Sequence, residues 1–417
     1  MRISKFGQKI AARSGIGQLM DDLGLAAAAG GMIMLGGGNP AHIPAVEARF
    51  RGALQKLLDR PGQFERAVGE YDPPGGNRAF VEAMCQLLGE RYGWPITPAN
   101  IALTNGSQSA FFILFNLFAG PCEDGSTRKI CLPLAPEYIG YSDVGLVENV
   151  FTAARPEIDH LDEHIFKYRV DFDALHITDE IGAVCVSRPT NPTGNVLTDD
   201  EIARLGQLTR DRGIPLIIDN AYGAPFPNII FTEVRPVWDD NTIVCMSLSK
   251  LGLPAARTGI TIANEAVIAM ISQINAIMSL APGGLGAAMA TEMVRSGEII
   301  ELSRQVIRPF YQRRAESAVA QLMEELAGVD FHIHKPEGAF FLWLWLRDLP
   351  ITCGELYERL KACGVLVVPG RHFFPGLDEP WRHKDECIRV NYAPDEPSVR
   401  KGLSIIADEV RKAYAGT

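Results

Sequence analysis

Cysteine is scarce in this chain and carries no pattern. The eight thiols, Cys85, Cys122, Cys131, Cys185, Cys245, Cys353, Cys363 and Cys387, are scattered with no CxxC pair, which removes a disulfide framework and a zinc ribbon as organising devices. Most lie in apolar runs, where a thiol behaves as a small hydrophobe, so a reducing compartment is expected. Positive charge is also short. Forty Lys+Arg stand against fifty Asp+Glu, a formal net charge of −10 with no basic block, which leaves no electrostatic footprint for nucleic acid or an anionic membrane. Long apolar runs are missing: the strongest, residues 110–115 and 339–346, fall well below the ~20 residues that cross a bilayer. Arg2, Lys5, Lys9 and Arg13 are not followed by an apolar segment with a small-residue cleavage site, so no secretory signal is expected and the predicted location is the cytoplasm. Repeats, low-complexity tracts and long linkers are absent too.

What is present is an ordinary folded chain. Its 417 residues, 47% hydrophobic and 22% charged, allow two or three domains with real cores. Between about residues 100 and 263, short apolar or β-branched runs alternate with amphipathic stretches, the pattern of parallel strands joined by helices. The expected strands are Ile101–Thr104, Lys129–Leu134, Ala183–Ser187, Pro215–Asp219, Thr242–Leu248 and Thr258–Ala263. A crossover helix is marked by the capping box Thr198/Glu201, the apolar face Ile202, Leu205 and Leu208, and the closing Gly213. After about residue 290 the text becomes helical and charged, then strand-like at Phe340–Leu346, Val365–Val368 and Ile388–Tyr392. A last helix, about Pro397 to Ala413, carries Val399, Leu403, Ile406 and Val410 at helical spacing.

Four segments fall at strand ends, where α/β proteins gather ligands. Thr104-Asn105-Gly106-Ser107-Gln108 lies between a strand and a helix, so the first-turn N–H groups and the Ser107 hydroxyl can hold a phosphate; alone, Ser107 reads more readily as a helix cap. Arg188-Pro189-Thr190-Asn191-Pro192-Thr193-Gly194 is a proline-flanked turn that presents the Asn191 amide, or simply ends a strand. Pro215-Leu-Ile-Ile-Asp219-Asn-Ala-Tyr222 delivers a carboxylate to the sheet edge with a phenol three residues on; a salt bridge or the protonated ring of a cofactor would satisfy it equally. Ser247-Leu248-Ser249-Lys250, with Arg257 beyond it, places a lysine where a second cation lowers its pKa. A lone lysine is usually a solvated charge, but an anion cradle, an amide, a buried carboxylate and a poised amine together match what pyridoxal phosphate requires.

With these residues in this order, and Arg389 in Ile388-Arg389-Val390-Asn391-Tyr392, the chain resembles the fold-type I, aspartate-aminotransferase-like enzymes over essentially its full length. The resemblance implies an α/β fold: a large domain with a mostly parallel seven-stranded sheet and a smaller α+β domain. The segments expected are an N-terminal arm with part of the small domain (1–60), a cofactor-binding domain (61–295) and a C-terminal small domain (296–417). It implies pyridoxal 5'-phosphate as cofactor, with Lys250 as the Schiff-base and proton-transfer residue. Asp219 would face the ring nitrogen, Asn191 and Tyr222 the ring 3'-oxygen, and Tyr138 would stack on the ring. Gly106, Ser107, Gln108, Ser247 and Arg257 would hold the phosphate. Tyr71, in Tyr71-Asp72-Pro73-Pro74-Gly75-Gly76, would reach the phosphate of a neighbouring subunit, which implies a homodimer with shared active sites. Arg389, Asn191 and the Gly38 backbone would bind the substrate carboxylate.

The implied reaction is ping-pong transamination. Within the family, Gly36-Gly37-Gly38-Asn39-Pro40, the Tyr71–Gly76 segment and the Arg188–Gly194 turn support a closer resemblance to members that use valine and pyruvate, and this resemblance implies valine as donor and pyruvate as acceptor, yielding 2-oxoisovalerate and alanine. The motifs themselves fix only α-amino-acid chemistry, because one methylene in a pocket is worth only ~1–3 kcal/mol. Another α-amino-acid aminotransferase or a carbon–sulfur β-lyase would use the same Lys250 and Asp219, and a cofactor-sensing transcription regulator is a remote non-enzyme alternative that lacks its basic DNA-binding module here. The stretch around Ser14-Gly15-Ile16-Gly17 is expected near the side-chain pocket. No metal is expected: His332 and His334 have no further ligands nearby and read as strand surface. Trp343 and Trp345 read as packing residues, and Arg371 and His372 as entrance residues at most.

Overall fold

The computed structural model describes residues 2–11, 17, 24 and 31–416; of the stretch expected near the side-chain pocket, Ser14, Gly15 and Ile16 lie outside these. Two sheets organise the chain. The larger runs in the order Ile101–Asn105, Thr258–Ile262, Thr242–Ser247, Leu216–Asp219, Ile181–Ser187 and Thr127–Leu132, with Phe151–Ala153 beside the last. Among these seven, only Thr258–Ile262 runs against the rest. The reason is chain length: the link from Ser247 to Thr258 holds two short turns, too little for the crossover that a parallel neighbour needs. The sheet counts eight strands rather than the expected seven, because the two-residue Gly120–Pro121 folds back on Thr127 and Arg128. The central strands Leu216–Asp219 and Thr242–Ser247 are buried along their whole length, as strands covered on both faces must be.

The expected strands of this sheet are all found, most within one or two residues. The crossover helix is Asp199–Asp211, with Thr198 and Glu201 satisfying each other's backbone N–H groups. The helix after the first strand is Ser107–Phe118. Ser187, Asp219 and Ser247 therefore finish three neighbouring parallel strands at one edge of the sheet, and Gly106 leads into a helix beside them.

The second sheet has six strands in the order Val368–Pro369, Cys387–Asn391, Phe341–Leu346, Phe331–His334, Ile165–Arg169 and Glu157–His160. Its last two strands come from the middle of the chain, and Ile333 pairs with Ile165 in parallel. The single strand expected at Val365–Val368 is split: Val365 and Leu366 pair with Ile33 and Met34, while Val368 and Pro369 pair with Arg389 and Ile388. Helices Arg308–Glu325, Cys353–Ala362 and Glu396–Tyr414 accompany this sheet. His332 and His334, expected on a strand surface, are instead buried, because Ile165–Arg169 pairs along their strand; His334 Nε2 accepts the Tyr168 N–H, and the His332 ring lies against those of Trp345 and His160. Trp343 and Trp345 are core residues. All eight cysteines are free, and no helix among the described residues is long and apolar enough to cross a membrane.

Candidate active site

One cleft at the carboxyl edge of the large sheet brings together Gly38, Ser107, Gln108, Tyr138, Asn191, Asp219, Tyr222, Ser247, Lys250, Arg257 and Arg389. At one end, Gly106 adopts φ +83°, and a Cβ there would fall 2.1 Å from the Arg257 guanidinium; only glycine lets the cation approach the start of the Ser107–Phe118 helix so closely. That end gathers unpaired first-turn N–H groups, a hydroxyl and a guanidinium, the elements of an anion cradle. Ser247 Oγ donates to Ser249 Oγ at 2.9 Å and accepts the Ser249 N–H at 3.0 Å, which fixes the turn that carries Lys250. The Gln108 side chain is turned away to donate to Gly140 O at 2.9 Å, so only its backbone is free for the cradle.

In the middle, Asp219 ends its strand almost fully buried. Tyr141 donates its hydroxyl proton to Asp219 Oδ2 at 2.7 Å and the Ala221 N–H donates to Oδ1 at 3.0 Å. Burial raises the Asp219 pKa in spite of these donors and the Lys250 amine, the mark of a carboxylate that needs a cation beside it. Lys250 follows the next strand and donates to Gly38 O at 2.8 Å. Burial first, then Arg389 and Arg257, lower its amine to about 8 against the pull of Asp219, so a useful fraction is neutral and nucleophilic near neutral pH. Tyr138 is half-buried; a Cβ on Gly140 would fall 2.4 Å from its ring, so glycine there makes room for the ring. The Tyr222 ring centroid lies 5.5 Å from Lys250 Nζ and that of Phe340 5.6 Å.

At the far end, Arg389 is 3% exposed and stacks on Phe341 at 4.2 Å. Its guanidinium donates to Asn191 Oδ1 at 2.7 Å and Gly36 O at 2.6 Å, while Asn391 donates to Gly37 O at 2.7 Å. Burial lowers its pKa to about 10, still fully charged near neutrality. Arg389 Nε is buried without a partner among the described residues, a donor left for an incoming acceptor such as a carboxylate oxygen. Glycine is needed at Gly36, where a Cβ would meet Val367 O at 2.8 Å.

Some site residues escaped the sequence. Tyr141, fully buried, touches Asp219 and sits 3.4 Å from Ser187 Oγ. Ser249 holds Ser247, and Phe340 walls the cleft beside Lys250. Only the short spacing to Tyr138 hinted at Tyr141; its partner is 78 residues away. Of the expected site residues, Gly106 sits just behind the cleft lining, while Tyr71 lies outside the cleft of this subunit, 81% exposed on the surface. Arg371 pairs with Asp385, and with His372 it borders a shallow cavity beyond Ile139.

Pyridoxal phosphate fits these residues: the Gly106/Arg257 cradle suits its phosphate, the buried and cation-seeking Asp219 its ring nitrogen, and the depressed amine of Lys250 its aldehyde. Comparison with known proteins agrees. The family model for aminotransferases of class I and II matches residues 49–406. The valine–pyruvate aminotransferase of Escherichia coli K12 is 54% identical over 415 residues, covering 100% of this chain and 99% of that protein. A crystal structure of a putative amino-acid aminotransferase from Psychrobacter arcticum superposes with TM-score 0.97 at 49% identity over the whole of both chains. That of valine–pyruvate aminotransferase from Salmonella typhimurium gives 0.89 at 53% identity, covering 96% of this chain and 100% of the other. Thermus thermophilus aspartate aminotransferase, at 21% identity and TM-score 0.77, covering 98% and 100%, shares the fold. A cleft of this composition and a match of this length have one explanation: the chain belongs to the class I and II aminotransferases, pyridoxal-phosphate enzymes.

Proposed function

We propose that this protein exchanges the amino group of valine with pyruvate, giving 2-oxoisovalerate and alanine in a ping-pong cycle. The observation that carries the choice of substrates is the 54% identity, end to end, with the Escherichia coli valine–pyruvate aminotransferase. Bound pyridoxal phosphate supplies a carbonyl carbon for the substrate amine and a conjugated ring that takes up the electron pair left when the Cα proton departs.

The chain's own residues do the rest. The first turn of the Ser107–Phe118 helix and Arg257 would anchor the phosphate, and Ser247 would join them by turning its hydroxyl from Ser249. Tyr138 would cover the ring, Asn191 and Tyr222 would hold its 3'-oxygen, and the Asp219 carboxylate would hold a proton on its nitrogen. Lys250 would hold the cofactor through its amine, and its Nζ, when neutral, would serve as the base that takes the proton from the substrate Cα and gives it back. Arg389 supplies its unpartnered Nε to the substrate carboxylate while its other two nitrogens hold Asn191 and Gly36. Carboxylate and amine are thus fixed at two points, which sets the Cα–H bond toward Lys250. Phe340 and Phe341 exclude water from the reacting carbon.

A second subunit completes the site. Tyr71 stands 81% exposed in the loop that Asn275 ties down through Pro74 O, and the same helix ends in exposed Ile277, Met278 and Leu280. A second copy of the chain would cover this apolar surface and bring Tyr71 to the phosphate of the neighbouring site. The small molecules involved and the net charge of −10 suit a cytoplasmic enzyme. The division 1–60, 61–295 and 296–417 stands as the proposed domain plan, with strands 157–160 and 165–169 lent to the second sheet.

The test is to mix loaded enzyme with valine and pyruvate and quantify both products. Equal amounts of alanine and 2-oxoisovalerate, abolished by Lys250→Ala, are expected. Cofactor loading without either product rejects valine–pyruvate exchange, and ammonia and pyruvate from cystathionine would reveal a β-lyase instead.

A further inference from the structure

Glu137 is 1% exposed and does not line the cleft, yet it is linked to it. Its Oε1 accepts the Ser187 N–H at 2.8 Å, while its Oε2 accepts the Tyr138 N–H at 3.3 Å and lies 2.6 Å from Ser187 Oγ. Ser187 Oγ is 3.4 Å from the Tyr141 hydroxyl, which donates to Asp219 Oδ2. Two acids therefore stand at the ends of a buried chain of two hydroxyls. Asp219 feels the Lys250 amine, whereas among the described residues no cation is one of the groups that act on Glu137.

Counting protons along the chain decides its direction. If Glu137 were ionised, the Ser187 hydroxyl would donate to it, and the Tyr141 proton is already given to Asp219. The contact between Ser187 and Tyr141 would then join two oxygens with no proton between them, and two negative charges would share one dry network. If Glu137 carries a proton on Oε2, every hydroxyl bond of the chain is made in one sense: Oε2–H to Ser187 Oγ, Ser187 O–H to the Tyr141 oxygen, and Tyr141 O–H to Asp219, with a lone pair left on Oε2 for the longer Tyr138 N–H contact. The network then holds a single charge.

We infer that Glu137 is a positioning residue that stays protonated at neutral pH and heads a one-way hydrogen-bond chain through Ser187 and Tyr141, so that Asp219 is the one acid of the pair that is charged beside the cofactor's ring nitrogen. Burial, with the Asp219 charge adding to it against the Ser187 donors, pushes the Glu137 carboxyl up to about 8. The titratable groups facing Glu137 are Asp219, Tyr141 and Cys185, none of them a cation; the loop packed against it offers only the Phe373 carbonyl to its N–H. Hydroxyl chains of this kind polarise along their length, so the far end is felt at Asp219.

This inference rests on the cofactor reading of the cleft and not on the choice of valine and pyruvate. Its test uses the loaded enzyme and two readouts apart from turnover. Infrared difference spectra at pH 7 between wild type and Glu137→Gln should show a protonated-carboxyl C=O band in the wild type that the variant lacks. The pH titration of the cofactor's absorbance should be the same in Glu137→Gln, whose amide also donates to Ser187, and should shift by about one pH unit or more in Tyr141→Phe, which cuts the chain. No lost carboxyl band, a titration moved by Glu137→Gln, or one unmoved by Tyr141→Phe overturns it. Should Glu137→Gln fail to fold, wild-type enzyme labelled with carbon-13 glutamate decides: a protonated band at pH 7 that vanishes by about pH 10 supports the inference, and its absence at pH 7 overturns it. A protein that takes up no cofactor at all would instead count against the reading of the cleft.

Discussion

At the phosphate end of the cleft, Gly106, Ser107 and Gln108 follow one another along the chain, and Arg257 reaches them from the neighbouring strand. At the carboxylate end, Arg389 holds Gly36 O across 353 residues and Asn391 holds Gly37 O across 354. The first end is a product of one sheet and one helix, and it exists wherever that sheet forms. The second exists only when the strand Cys387–Asn391 and the segment after Met34 meet over the large domain. Cofactor retention and substrate binding are therefore expected to fail separately, each by damage to its own end.

The largest effect should come from the point where the two ends meet. Asp219→Ala removes the charge proposed to face the ring, and kcat should fall by about 10³-fold, the scale of a lost proton-holding group; a fall below tenfold would break the division of labour. Next is Arg389→Gln, which should lower kcat/KM for valine by about 10²-fold through the loss of charged hydrogen bonds while leaving cofactor affinity unchanged. Equilibrium dialysis of the cofactor, run alongside kinetics, checks both halves of that statement. The mirror experiment is Gly106→Ala: with φ at +83° and Arg257 in the way, cofactor affinity should weaken by about tenfold or more, with KM for valine at saturating cofactor little changed.

A pH series sharpens the comparison further. The Lys250 amine must be neutral to bond the cofactor, and its pKa is lowered to about 8. Below that value the neutral fraction falls tenfold per pH unit, so the rate at which apoenzyme captures cofactor should climb from about pH 6 and level off above about pH 8. A flat profile would mean that another step limits capture. The smallest effect is expected far from both ends: Thr198→Ala, at the capping box of helix Asp199–Asp211, should cost about 1 kcal/mol of stability in thermal unfolding and leave both binding constants alone.

The same contrast explains what could be read from the residues alone. Segments whose meaning is local, such as the Thr198/Glu201 cap, the apolar run into Asp219 and the turn into Ser107, were legible because pattern and position lie within a dozen residues. Phe151–Ala153 was not: three residues are too few for a period, and their strand exists because Thr127–Leu132 has a free edge. Glu157–His160 and Ile165–Arg169 carry charged and polar residues, and their place in the second sheet depends on a partner past residue 330. Tyr141 and Glu137 belong to the same class. Beyond the spacing of Tyr141 from Tyr138, nothing near them in sequence says that they are linked to Asp219. Arg389 was legible through its resemblance to known enzymes, but the backbone carbonyls that brace it could be seen only in the structure.

The parallel pairing of Ile165 with Ile333 also bears on how the chain is made. At roughly 5–20 residues per second of synthesis, a partner about 170 residues downstream emerges some ten to thirty seconds after the first strand has left the ribosome. During that interval the edge of Ile165–Arg169 has its hairpin mate Glu157–His160 on one side and nothing on the other, an open template for another nascent chain. That edge closes only when the strand Phe331–His334 has been made, so the second sheet is completed late in synthesis.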